Sequence, residues 1–99
     1  MNPIQKTCAP KSFSLGRVVA TPGALDAFAR GEEQYLPLLM RHARGDWGEV
    51  CREDAKANDQ ALAHGGRLFS AYRLRDRTKI WVITEADRSS TCILLPDEY

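Results

Sequence analysis

Ten residues, Leu39–Gly48 (LMRHARGDWG), carry Arg41, His42, Arg44, Asp46 and Trp47 around two glycines, Gly45 and Gly48. An imidazole beside a carboxylate is the smallest kit for moving a proton near neutral pH. A nearby guanidinium binds a phosphate or steadies the charge of a pentavalent transition state. Further along, Ser70, Tyr72, Thr84, Arg88 and Thr91 supply hydroxyls and another cation. A metal-independent ribonuclease needs such a set: a base for the 2′-hydroxyl, an acid for the leaving oxygen, a cation on the phosphate. The catalytic candidates are therefore His42, Arg41, Asp46, Ser70, Tyr72, Thr84 and Arg88. The same residues have structural uses. Asp46 can cap a turn or pair with Arg41 or Arg67. His42 can donate to a carbonyl, and Trp47 can seal a helix–sheet junction with its N–H bonded. One His–Asp proximity is a weak catalytic signal, and the structural use outweighs it.

Other chemistries find less to work with. The net charge is +1, which removes any global electrostatic case for nucleic acid. A local case remains in Arg67, Arg73, Arg75, Arg77 and Lys79, opposed within that run by Asp76 alone. The three cysteines, Cys8, Cys51 and Cys92, are odd in number and widely spaced, as in a protein of the reducing cytosol rather than a disulfide framework or zinc site. A metal set drawn from His42, Asp46, Glu49, Asp54 and His64 matches no standard ligand spacing. No glycine-rich phosphate loop and no nucleophile elbow occurs, so no cofactor is expected. Apolar runs are too short for a membrane span, and the first residues lack the apolar stretch of a signal peptide.

The elements that must position these residues read as an α+β domain over 13–99, behind a loose tail at 1–12. Phe13–Ala20 is a strand with a bulge or close approach at Gly16. Thr21-Pro22 caps a helix over Pro22–Arg30, with Leu25, Phe28 and Ala29 as its buried stripe and Gly31 as its C-terminal stop. A second helix starts near Tyr35 or Leu36 and ends near Arg44; its C-terminus would favour a protonated His42. A third spans about Arg52–Ala63, with Asn58 on its thin apolar stripe, bonding to loop backbone. Arg67–Leu74, Lys79–Glu85 and Thr91–Leu95 alternate as strands joined by short turns, the middle one apolar on both faces and therefore central. The expected architecture is an N-terminal strand and two to three short helices packed on a three- to four-stranded antiparallel meander.

Taken together, RHARGDWG, Asn58, GRLFSAY, KIWVITEADRSST and LLPDEY resemble a group of small bacterial proteins typical of plasmids, phages and other mobile elements. The resemblance covers Phe13–Tyr99 and implies an accessory role, with no set activity. The order of helices followed by a meander is similar to the barnase/EndoU/colicin/RelE-like ribonuclease folds, which would give His42, Arg41, Ser70, Tyr72, Thr84 and Arg88 their catalytic roles. The leading expectation is a cytosolic protein that binds a macromolecular partner, protein or RNA, or a second copy of itself as a homodimer. An exposed sheet face or edge bearing Tyr72 or Trp81 would supply the surface. Ribonuclease action through His42, and nucleic-acid binding through the basic run at 67–79, are the alternatives.

Overall fold

Strict alternation in the last third of the chain builds a sheet with one wholly apolar-and-hydroxyl face. The computed structural model describes residues 13–99; the expected tail at 1–12 lies outside them. Its elements are β1 (Arg17–Ala20), α1 (Pro22–Gly31), α2 (Leu36–Ala43), α3 (Arg52–His64), β2 (Leu68–Arg73), β3 (Lys79–Thr84) and β4 (Ser90–Leu94), then a 3-10 turn at Pro96–Glu98. The sheet order is β1-β4-β3-β2. The three C-terminal strands form the expected antiparallel meander, with β3 central. β1 does join its edge, but parallel to β4, so the four-stranded sheet is mixed.

Residues two apart share a face of a strand. Leu68, Ser70 and Tyr72 of β2, Ile80, Val82 and Thr84 of β3, and Thr91 and Ile93 of β4 are each at most 2% exposed. α1 and α2 cover this inner face, packing Ala24, Ala27, Phe28 and Leu39 on Tyr72, Ile80, Val82 and Ile93. A second cluster joins Trp47, Ala61 of α3 and Leu68. Each buried aliphatic side chain contributes about 1.5–3 kcal/mol. On the outer face Trp81 lies edge-on between Phe69 and Tyr99, with ring centroids 4.9 and 5.8 Å away.

Three local expectations need correction. β1 begins at Arg17, not Phe13. Gly16 has a φ of +65°, which turns the chain, and a Cβ there would meet backbone atoms of Arg88 and Ser89; Phe13 is thereby freed to stack beside Trp47. The left-handed residue that ends α1 is Glu32, not Gly31; its N–H and that of Glu33 close onto Ala29 and Phe28 carbonyls. The buried stripe of α1 is Ala24, Ala27 and Phe28, which leaves Leu25 half exposed.

The start of α1 is fastened from the far end of the chain. Thr21 Oγ1 accepts from the Ala24 N–H at 3.1 Å and donates to Glu98, whose carboxylate also accepts from the Gly23 and Leu95 N–H groups. A Cβ on Gly23 would collide with that carboxylate. A carboxylate at a helix N-terminus is favourably placed, and the Thr21 hydroxyl holds Glu98 below the usual carboxylate pKa.

Candidate functional site

His42 is wholly buried, and its ring is bonded at both nitrogens. Nδ1 lies 2.5 Å from Ser70 Oγ and Nε2 lies 2.8 Å from Thr84 Oγ1. Thr84 Oγ1 is 2.7 Å from Thr91 Oγ1, and Thr91 donates to the Leu15 carbonyl at 2.7 Å. These contacts fix the proton order. Each hydroxyl has one proton to give. Thr91 spends its proton on Leu15, so it accepts from Thr84; Thr84 therefore accepts from His42 Nε2–H. That leaves Nδ1 bare, to accept from Ser70. The ring is held as one neutral tautomer, and the file of bonds ends on a backbone carbonyl.

The environment opposes a proton on this ring. Burial, with a smaller contribution from the nearby Arg88 cation, pushes the His42 pKa down to about 4. This corrects the expectation that the end of α2 would favour imidazolium: loss of hydration outweighs a helix terminus, whose effect is typically about 0.3–1 kcal/mol. The rings of Phe13 and Trp47 close over the imidazole edge-on, with centroids 5.2 and 5.8 Å away. Three surface hollows among the described residues are lined by other side chains.

The remaining candidates bond to one another and to backbone around this core. Arg41 forks onto Asp46, Nε to Oδ2 at 2.7 Å and Nη2 to Oδ1 at 3.3 Å, and its guanidinium lies 4.6 Å from the centre of the Tyr72 ring. The Asp46 carboxyl is held below its ordinary range, chiefly by the Arg41 hydrogen bond. Asp46 thus pairs with Arg41, one of its two expected partners, while Arg67 goes to Glu85. Tyr72, expected on a docking surface, is buried and donates to the Asp46 carbonyl at 2.6 Å; burial pushes its phenol up to about 12. Arg88 donates to the carbonyls of Gly66, Glu85, Ala86 and Ala61, tying the end of α3 to the β3–β4 turn. The structure therefore gathers His42, Ser70 and Thr84 at one point, and Arg41, Asp46 and Tyr72 at a neighbouring one. Arg88 is committed to backbone.

The basic run is partly neutralised. Arg67 pairs with Glu85, Arg73 with Glu49 and Arg75 with Glu33. Arg77 and Lys79 lack a carboxylate partner among the described residues. No group of three or more His, Cys, Asp or Glu among the described residues could hold a metal ion. No helix among them is long and apolar enough to cross a membrane.

The two edges of the sheet are treated differently. Along β2, the Asn58 side chain donates to the Phe69 carbonyl at 2.7 Å and accepts its N–H at 3.0 Å. Asn58 does bond to backbone as expected, but to a strand edge rather than to a loop. Next along, Ala71 donates to the Trp47 carbonyl at 3.1 Å and its own carbonyl accepts from Glu49. Gly48, with φ +74°, sits between them, and a Cβ there would strike the Ala71 oxygen. Beside β1 lies instead a groove of about 410 Å³ lined by Val18, Val19, Ala20, Leu25, Tyr35, Leu39 and Ile93. Val18, Val19, Leu25, Tyr35, Leu36 and Met40 are 40–57% exposed. This band was missed in the sequence; its signal was the excess of apolar residues on α1 and α2 over what one buried stripe can absorb.

Comparison of the chain with protein-family models, with curated proteins and with solved structures returns no match.

Proposed function

We propose that the protein works by binding a macromolecular partner, without catalysis, through the apolar band beside β1. The observation that carries this reading is the exposure of Val18, Val19, Leu25 and Tyr35 along an uncharged groove, with Leu36 and Met40 exposed on the adjoining helix α2. At about half exposure each, the six together present roughly 500 Å² of apolar surface, and apolar patches of a few hundred Å² are often functional. The resemblance to small mobile-element proteins supports an accessory role of this kind in the cytosol. The ribonuclease alternative draws no support from a neutral His42 enclosed by Phe13, Trp47 and two hydroxyls. Nucleic-acid binding through the 67–79 run is weakened by the carboxylates facing three of its cations.

The test is a photo-crosslinking side chain placed at Leu36, compared with one at Arg77 on the β2–β3 turn, in cells making the protein. A discrete adduct from position 36 and none from position 77 is expected. No adduct from either position would count against the reading. Chelator-resistant RNA cleavage by the wild type, lost in a folded Arg41→Gln variant, would overturn the non-catalytic part.

A further inference from the structure

We infer that the occupant of the apolar band is a second copy of this chain, joined β1 to β1 across a two-fold axis so that two four-stranded sheets run on as one. The inference rests on the partner-binding reading above and names its partner.

Backbone direction is the first argument. Arg17 donates to the Ser89 carbonyl and Thr21 to the Ile93 carbonyl, each at 3.0 Å. Alternate residues of a strand turn their backbone groups the same way. Val19 therefore also faces β4, while Val18 and Ala20 turn their N–H and C=O groups outward. No strand among the described residues pairs with that side of β1. A row of unpaired backbone groups is a template for another strand. The opposite edge of the sheet is occupied by Asn58 and the Trp47–Glu49 segment, so β1 is the edge on offer.

Symmetry is the second. Directly opposed residues of antiparallel strands point to the same side of a sheet. A two-fold axis perpendicular to the sheet can therefore set Val18 against Val18 of the second copy. Because the backbone groups of Val18 point outward, that pair exchanges two hydrogen bonds. In the same register Arg17 lies opposite Val19 of the second copy, so the two arginines do not face each other. The helices of both copies then lie on one side of the joined sheet. Leu36 and Met40, four apart on one flank of α2, are exposed on the helix that follows the groove residue Tyr35.

The chemistry of the groove is the third. Its lining carries no charge, so it asks for an extended, uncharged, β-branched strand. β1 itself, RVVA, is uncharged at three of its four positions and β-branched at two. The band, about 500 Å² per copy, together with the backbone edge, approaches the roughly 800 Å² per partner of a standard interface.

Sedimentation velocity on the full chain, from low to high micromolar, tests this together with amide exchange read residue by residue. A reversible dimer is expected. Exchange at Val18 and Ala20 should slow about tenfold or more as the dimer fills, while the Val19 amide is protected at every concentration. Leu36→Glu should keep the far-ultraviolet spectrum and raise the dissociation constant about tenfold or more. Val18→Pro, which removes an outward N–H and leaves the bonds to β4, should abolish the dimer. A monomer throughout, or a dimer whose Val18 and Ala20 exchange ignores concentration, overturns the inference. A monomer whose Leu36 crosslinker still captures a different chain removes the second copy and leaves the partner-binding reading standing; a monomer that captures nothing removes both.

Discussion

The surroundings of His42 and the surroundings of β1 invert the usual division between inside and outside. Around His42 a file of polar groups is buried, and every member has a partner. Around β1 a set of aliphatic and aromatic side chains stands in solvent. A buried polar group left unmade costs about 1–3 kcal/mol, so such a file either closes completely or fails. An exposed apolar group costs the fold little but leaves hydrophobic area for something else to cover. Residues that look chemically equipped here bond to one another and to backbone. Residues with no chemistry of their own remain available.

Four experiments press on that contrast. The largest effect is expected from His42→Ala, which opens a cavity and strips partners from Ser70 and Thr84; unfolding by urea should show a loss of about 4 kcal/mol. A loss below about 1 kcal/mol would mean that the imidazole is not built into the core. Next comes pH. The native pKa of His42 is about 4 against an ordinary 6.5. The unfolded chain therefore takes up this proton first as pH falls. Stability should be complete above pH 6.5, drop by about 3 kcal/mol between pH 6.5 and 4, and gain no further loss from this group below that. The carboxyls of Glu98 and Asp46, whose pKa values are lowered from 4.5 and 3.8, begin to add their losses only as pH falls past those ordinary values, so the fall between pH 6.5 and 5 belongs to His42 among the three. A urea midpoint flat from pH 7 to 5 would contradict the assignment.

Asn58→Ala should follow, at about 2 kcal/mol, because both backbone groups of Phe69 lose their partner. Faster exchange of the Phe69 amide would localise the effect. The smallest change in stability belongs to the other region: Leu36→Glu should move the unfolding free energy by no more than about 0.5 kcal/mol. A destabilisation comparable to that of Asn58→Ala would show that Leu36 belongs to the core, and the contrast would fail.

Much of the inner region was legible before any coordinates. Strand alternation set Ser70 beside Leu68 and Tyr72, and Thr84 beside Ile80 and Val82, while helical spacing set His42 on the face of Leu39. Those neighbours are buried, and the hydroxyls and the imidazole share their burial. The three helices and the meander followed from caps and periodicity. What was not legible depends on contacts distant in the chain. Thr21 and Glu98 meet across 77 positions, and nothing local in either marks the other. The parallel sense of β1 depends on how three helices bring the chain back. The exposed position of Leu25 depends on the small Ala24 and Ala27, rather than Leu25 and Ala29, being the residues that approach the sheet beside Phe28. The catalytic appearance of RHARGDWG came from density in sequence, and density carries no information on which way side chains point.

The side chain of Asn58, lying along β2 as a substitute for a neighbouring strand, has a consequence for stoichiometry. Growth of a sheet from molecule to molecule needs two free edges on each unit. With β2 stopped by Asn58 and the Trp47–Glu49 segment, the proposed addition at β1 would use the last one. A symmetric contact of that kind closes on itself and yields a pair, whereas two open edges would propagate into a fibre. Asn58 and the Trp47–Glu49 segment together act as a chain terminator, and a variant lacking the amide would uncover the Phe69 part of that edge and carry a greater hazard of extended aggregates.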